Sequence, residues 1–369
     1  VAALLHNLGK LSDRFISYQL YNAQKPFPVP TDGREPPTNA HYEPFGVVNP
    51  DEFLSSTLKM KLAAKQSKKD KWVWNDLDPE SQRKPLKEVP LKLAGEIYLL
   101  YEILGLWHLY GSGEFQNAMP ENWLGQNRHG YILWLLDICH GVTQLEKGPA
   151  ETWKEFPHHF YLASAFGQEG NPISRIGEKA LDALRYEIDL TTVSLISPYN
   201  RFLFIETIKD RFKKALADSR RPINEVTLWD WSWTVATLYK SLLAQFTFFH
   251  DVIDEWIVKS ENDRMCFRWR TLRVTVDSLG YLRQAHHLTD LAGRTITLTA
   301  RLNAVKQLIE VEYPLGNEIY RDSTGIYFTF PGVDNATKDA LLVELQPLIH
   351  AAIIQNGGLP ELTPIIDIL

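Results

Sequence analysis

The feature that most constrains the fold of this sequence is a change in hydrophobic pattern about two thirds of the way along it. In FRWRTLRVTVDSLGYL, residues 267–282, Leu272, Val274 and Val276 fall on one face, and charged or hydroxyl-bearing residues alternate with them on the other. A period of two is typical of a strand with one buried face. We therefore predict that a second domain, of mixed α and β structure, begins near residue 263.

The residues after this strand predict the rest of a small α+β domain. The pattern indicates a helix over 296–313, a hairpin over 317–332 with a tight Asp-Ser-Thr-Gly turn, and a helix over 336–356. Strand, helix, hairpin and helix are the first part of a ferredoxin-like layout, which polymerase and cyclase palms use. We predict a palm-like ferredoxin domain over 263–369.

Residues 1–262 predict a mostly helical domain, because their apolar residues recur at three- and four-residue spacing. A segment rich in Pro, Gly and Asn over 22–57 predicts an irregular insertion. The fold class predicted for the whole chain is thus α+β. The stretches with helical spacing are 1–20, about 91–147, parts of 173–218, and about thirty residues from Pro222 onward.

The composition limits the cellular compartment and the kinds of binding partner that we predict. The formal net charge of −6 means that a nucleic-acid-binding surface would have to be local. Cys139 and Cys266 lie far apart and in no CxxC pattern, which argues against a disulfide scaffold or a zinc site and fits a reducing cytoplasm. The chain has neither an apolar run of about 18 residues nor a signal-peptide layout, so we predict a cytoplasmic protein without membrane contact.

The first ten residues, VAALLHNLGK, bear most on function. The same pattern with Asp after His is an entry point of metal-dependent phosphohydrolases, in which both side chains bind the metal. Here the pair is His6-Asn7, and a neutral carboxamide can neither bridge two cations nor offset their charge. The alternative is an ordinary helix end with Gly9 as the breaker.

Two further places could hold a cation. His140 has Asp137 three residues before it, and it is either a metal ligand or a histidine placed favourably at a helix C-terminus. Asp277 lies where a palm would hold a metal-binding carboxylate, while the hairpin turn offers only Asp322. One carboxylate per site cannot run a two-metal nucleotidyl reaction. Asp277 can equally begin a turn before Gly280.

Three segments follow one another along the chain, and their order is stronger evidence for a family resemblance than any one of them alone. They are LLHNLGK, then RRPINEVTLWDWSWTVATL over 220–238, and then VTVDSLGYL with IYRDSTGIYFTFP. Together they resemble the large subunit of type III CRISPR effector complexes, and LLDICHG with PHHFYLASAFG is similar to a divergent branch of that family. The resemblance implies a permuted HD domain followed by a first palm, in a family with nuclease and cyclic-oligoadenylate synthase activities that acts in antiviral defence.

Departures from the family pattern imply that the nuclease site is degenerate. The Asp of the HD pair is Asn7, and the His expected after Asp230 is Trp231. The degenerate site then consists of His6, Asn7 and Asp230, and His6 and His140 are the remaining metal candidates. The Gly-Gly-Asp-Asp pair of the family's second palm is not in this sequence.

We therefore expect a subunit that helps to seat guide RNA and target RNA and that contacts neighbouring effector subunits, with recognition delegated to base pairing. The RNA-binding candidates are Lys209, Arg211, Lys213, Lys214, Arg220 and Arg221. One alternative is a palm that holds a single Mg²⁺–ATP at Asp277. The other is a single-stranded DNA nuclease or phosphohydrolase with Mn²⁺ or Ni²⁺ at His6, Asp137, His140 and Asp230.

Overall fold

The structure, a computed structural model, describes two compact units, Val1–Trp233 and Thr234–Leu369. The boundary predicted at 262/263 lies outside the described residues, as do the insertion predicted over 22–57 and the helix predicted over 1–20, apart from Leu4, which is helical and buried. The described residues are Leu4, 84–85, 90–93, 96–99, 128–143, 159–164, 167–168, 174–175, 192–193, 198–215, 223–224, 226–248, 267–354 and 362–369.

The described part of the first unit combines helices with short strands. β1 pairs with β7, β2 with β3, and β4 with β5, β6 and β8. In chain order the elements are β1 (Lys84–Pro85), β2 (Pro90–Leu93), β3 (Glu96–Leu99), α1 (Arg128–Val142), β4 (His159–Ser164), β5 (Gly167–Gln168), β6 (Ser174–Arg175), β7 (Thr192–Val193), α2 (Pro198–Phe212), β8 (Ile223–Asn224) and α3 (Leu228–Phe248), of which the residues from Thr234 belong to the second unit.

Two helix predictions for this unit are wrong in part. At the start of the helix predicted over about 91–147, β2 and β3 form an antiparallel hairpin. Short apolar runs fit strand and helix equally well, so the spacing alone does not decide between them. The helix predicted from Pro222 begins at Leu228, because β8 pairs with β4 as a parallel strand. The mostly helical domain that the pattern predicts therefore also contains β structure.

One side of α2 is buried, and a backbone hydrogen bond joins the residue after this helix region to the start of α3. Phe204, Ile208 and Phe212 recur every four residues and are buried. Just after α2, the carbonyl of Ala215 accepts a hydrogen bond of 2.7 Å from the backbone N–H of Leu228. This bond fixes the first residue of α3 to the end of α2.

The second unit contains an antiparallel sheet of four strands, as the alternating pattern predicts. The strand predicted in 267–282, the hairpin over 317–332 and the helices over 296–313 and 336–356 are confirmed. The sheet order is β10-β11-β9-β12. After α3 the elements are β9 (Trp269–Thr275), α4 (Ser278–Arg283), α5 (Leu288–Gln307), a π-helical turn (Leu308–Glu312), β10 (Glu318–Arg321), β11 (Gly325–Pro331), α6 (Asn335–Ile354) and β12 (Ile365–Ile368).

One face of this sheet carries the core of the second unit. Leu272 pairs with Phe328 and Val274 with Ile326, and all four side chains are fully buried. Burial of each such side chain contributes about 1.5–3 kcal/mol. The helices add to the same cluster Leu298, Leu302, Val305, Leu345, Ile349 and Ile353.

The opposite face of the sheet meets the second half of α3. Thr329, the neighbour of Phe328 in β11, accepts a hydrogen bond of 2.8 Å at Oγ1 from Ser241 Oγ. Trp269 Nε1 donates to the Leu238 carbonyl at 2.9 Å. Successive residues of a strand point to opposite faces, so the sheet is covered on both sides near this end.

Candidate functional site

His140 and Trp231 stack on each other in the first unit. His140 lies in the last turn of α1 and Trp231 in the first turn of α3; both are buried, and their ring centroids are 5.2 Å apart with the planes inclined at 29°. Trp231 Nε1 donates to Thr143 Oγ1 at 2.7 Å, and Thr143 Oγ1 donates to the His140 carbonyl at 2.8 Å. The last carbonyls of a helix lack partners within it, so this chain of hydrogen bonds completes the end of α1. We call these three residues the His140–Trp231 stack.

Asp230, a predicted member of the degenerate metal site, forms a capping pair with Thr227 at the start of α3. Its Oδ2 accepts from the backbone N–H of Thr227 at 2.9 Å and from Thr227 Oγ1 at 2.7 Å. The backbone N–H of Asp230 donates back to Thr227 Oγ1 at 3.3 Å. This reciprocal arrangement is a capping box, and a carboxylate in the first turn also favours the helix dipole. The Thr-x-x-Asp spacing is the sequence signal that could have identified it.

The other metal candidates of the first unit are placed as follows. His6 and Asn7 lie outside the described residues. Asp137 is half-buried on α1, three residues before His140. Among the residues that the structure describes, no group of three or more His, Cys, Asp or Glu side chains could hold a metal ion. Burial raises the pKa of the Cys139 thiol, so it stays protonated at neutral pH and is unsuited to metal binding. Metal binding by His6 and His140 therefore stays a prediction.

Of the six basic residues predicted to bind RNA, the four that the structure describes fall into two groups. Lys213 and Lys214 follow the last turn of α2 and are exposed. Their backbone N–H groups donate to the carbonyls of Lys209 and Arg211, each at 3.0 Å, so the helical winding continues to this point. Two exposed lysines thus lie next to each other in sequence at the end of a helix. Arg220 and Arg221 lie outside the described residues.

Lys209 and Arg211 are held closer to the protein. Lys209 Nζ lies 3.4 Å from Glu206 Oε2 and 6.0 Å from the ring centroid of Trp229. Arg211 Nη1 donates to the Thr207 carbonyl at 2.9 Å. Because these cations already contact other groups, Lys213 and Lys214 are the better placed of the four to meet a phosphate.

Asp277 begins α4 in the second unit. Its Oδ1 accepts a hydrogen bond of 2.8 Å from the backbone N–H of Gly280. A Cβ at Gly280 would lie 2.2 Å from Asp277 Oδ2, so this cap requires glycine there. The alternative predicted for Asp277, a turn that starts before Gly280, is confirmed.

Asp322 closes the hairpin between β10 and β11. Its Oδ1 accepts from the hydroxyl and the backbone N–H of Thr324, both at 2.7 Å, and from the backbone N–H of Gly325 at 3.0 Å. These hydrogen bonds hold the pKa of Asp322 below its ordinary value, and the two from Thr324 have the largest effect. The carboxylate is therefore ionised and used by its own turn.

Sequence reasoning missed a polar network around Lys240 and Glu310, which we call the Lys240–Glu310 network. Lys240 Nζ donates to the Glu310 carbonyl at 2.7 Å and to Asn317 Oδ1 at 2.8 Å. Asn317 Nδ2 donates to Thr237 Oγ1 at 3.2 Å. The backbone N–H of Glu318 donates to Glu310 Oε1 at 2.7 Å. The network ties α3 to the π-helical turn and to the start of β10.

The pKa values of two carboxylates in and beside this network, Glu310 and Glu318, are shifted in opposite directions. Burial raises the pKa of Glu310 and outweighs the attraction of Lys306, whose Nζ lies 3.7 Å from Oε1. Burial also acts to raise the pKa of Glu318, but hydrogen bonds from Arg321 and Lys306 outweigh it and lower that pKa. Glu310 is the more deeply buried of the two, whereas Glu318 bonds directly to two cations, Arg321 Nε and Lys306 Nζ, each at 2.9 Å, which explains the difference.

A scan against protein-family models, a search of curated proteins and a search of solved structures each returned no match for this chain. Of the helices in the described residues, none combines the length and the apolar character needed to cross a membrane.

Proposed function

We propose that this chain is a subunit of a type III CRISPR effector complex, and that it acts there as a scaffold for RNA and for neighbouring subunits without cleaving nucleic acid. The observation that carries the proposal is the His140–Trp231 stack. The motif order resembles that family, and the family pattern has a histidine where this chain has Trp231. An indole that packs against His140 and donates to Thr143 serves the folding of the first unit and supplies no metal ligand.

The topology of the second unit supports the palm assignment. Its elements run strand, helix, hairpin, helix and strand, in the sheet order β10-β11-β9-β12. This is the β-α-β-β-α-β arrangement of ferredoxin-like domains. In it, Asp277 caps α4 and Asp322 closes the hairpin turn, and two carboxylates used in this way favour a palm that is structural.

Lys213 and Lys214 support the RNA-binding part of the proposal. A sequence with a net charge of −6 is expected to bind RNA through local clusters of cations, and these two lysines are consecutive and exposed. Each lysine that neutralises a phosphate releases a condensed counterion, so binding through them is expected to weaken as salt rises. The target sequence would be recognised by base pairing between the guide RNA and the target RNA.

The experiment that tests the proposal is purification of the full protein from cells that co-express its neighbouring genes, followed by sequencing of the retained RNA. We expect short RNAs with a constant 5′ repeat tag, together with partner proteins. The double variant Lys213→Gln/Lys214→Gln should retain less RNA than the parent. The matched control Arg283→Gln/Lys338→Gln removes the same charge from the second unit and should retain as much as the parent. A protein that purifies alone and without RNA would overturn the proposal.

A further inference from the structure

We draw no further inference here: the strongest candidate, the open part of the sheet face in the second unit where Tyr320, 56% exposed, packs edge-on against Tyr327 beside Arg273, carries nothing because Arg273 is already paired with Asp367 and nothing in the structure shows what covers this face.

Discussion

The two units treat a similar feature differently. Each has an aspartate that the sequence assigns to metal chemistry, Asp230 in the first and Asp277 in the second, and in each the carboxylate caps a helix. The two units also differ in the interactions of their buried groups. In the first, Trp231 stacks on His140, whereas the second contains a polar network around Lys240 and Glu310. A carboxylate in a motif can thus serve as a helix cap, whatever chemistry the same position performs elsewhere.

This difference has an energetic consequence. The His140–Trp231 stack depends on buried aromatic area and one indole hydrogen bond, which do not require a charged partner. The Lys240–Glu310 network depends on charged groups, whose contribution changes with ionisation. Variants of the two should therefore differ in size of effect and in response to pH.

The largest effect is expected from Trp231→Ala. The variant removes a buried ring and the donor to Thr143, and loss of a buried Trp side chain costs about 3–5 kcal/mol in the free energy of unfolding. Trp231→Phe keeps a ring against His140 and removes the donor, so it should cost about 1 kcal/mol for the hydrogen bond plus the smaller ring's lost contacts. Urea unfolding followed by circular dichroism measures both. Equal stability of the parent and the Ala variant would show that the stack does not hold the first unit.

Lys240→Met should have the next largest effect. It leaves the Glu310 carbonyl and Asn317 Oδ1 without their charged donor, and hydrogen bonds to charged groups contribute about 1.5–3 kcal/mol each. The control Lys338→Met removes an ion pair whose partner, Asp339, is exposed, and should cost about 0–1 kcal/mol. Unfolding midpoints compare the two variants. If Lys240→Met is no more destabilising than the control, the network does not stabilise the second unit.

The helix caps should have smaller effects. Asp230→Ala and Asp277→Ala are each expected to cost about 1 kcal/mol, as for other N-terminal caps. Asp230 and Thr227 bond reciprocally, so Asp230→Ala and Thr227→Ala should be non-additive in a double-mutant cycle. Strictly additive costs would rule out the capping box.

The smallest effect should be a pH dependence that belongs to the second unit. The pKa of Glu310 is raised in the folded state above its ordinary value of 4.5, so its contribution to stability is present below that value and is lost as pH rises through the folded pKa. Glu310→Gln cannot ionise, and it keeps an acceptor for the Glu318 N–H.

We therefore expect the stability of Glu310→Gln, relative to the parent, to improve between about pH 5 and pH 7. Glu318 has the opposite sign: its pKa is lowered, so its stabilisation is present above 4.5 and is lost as pH falls through the folded pKa. We therefore expect Glu318→Gln to be less stable than the parent above pH 4.5, and this difference in stability should shrink as the pH falls below that value. Urea midpoints at these two pH values give the sign for Glu310, and a further midpoint below pH 4.5 gives the sign for Glu318. A Glu310→Gln variant that becomes relatively less stable as pH rises would contradict the assignment.

How far the sequence predicts the fold depends on the range of the interactions. In the second unit the alternation at Leu272 and Val274 and the Asp322 turn are local signals, and the strands and the hairpin follow from them. In the first unit the runs at 90–99 are short enough to fit either periodicity, and pairing between β2 and β3 decides in favour of strands.

The candidate site could be predicted less well. The resemblance predicts a histidine at the position of Trp231, but the contact of Trp231 with His140 joins residues far apart in the chain, and no periodicity reports such a contact. The same holds for Lys240 and Glu310. RNA binding by Lys213 and Lys214 stays a prediction.

The most direct test of the central claim, that this chain lacks a working nuclease site, is an assay for Mn²⁺- or Ni²⁺-dependent cleavage of single-stranded DNA by the purified protein and by its His6→Ala variant. We expect that neither cleaves above the metal-free background, because the proposed resemblance places Trp231 where the family has a histidine ligand and Asn7 where it has the carboxylate of the HD pair. Metal-dependent cleavage by the parent that His6→Ala abolishes would contradict the account and establish the enzyme in place of the scaffold.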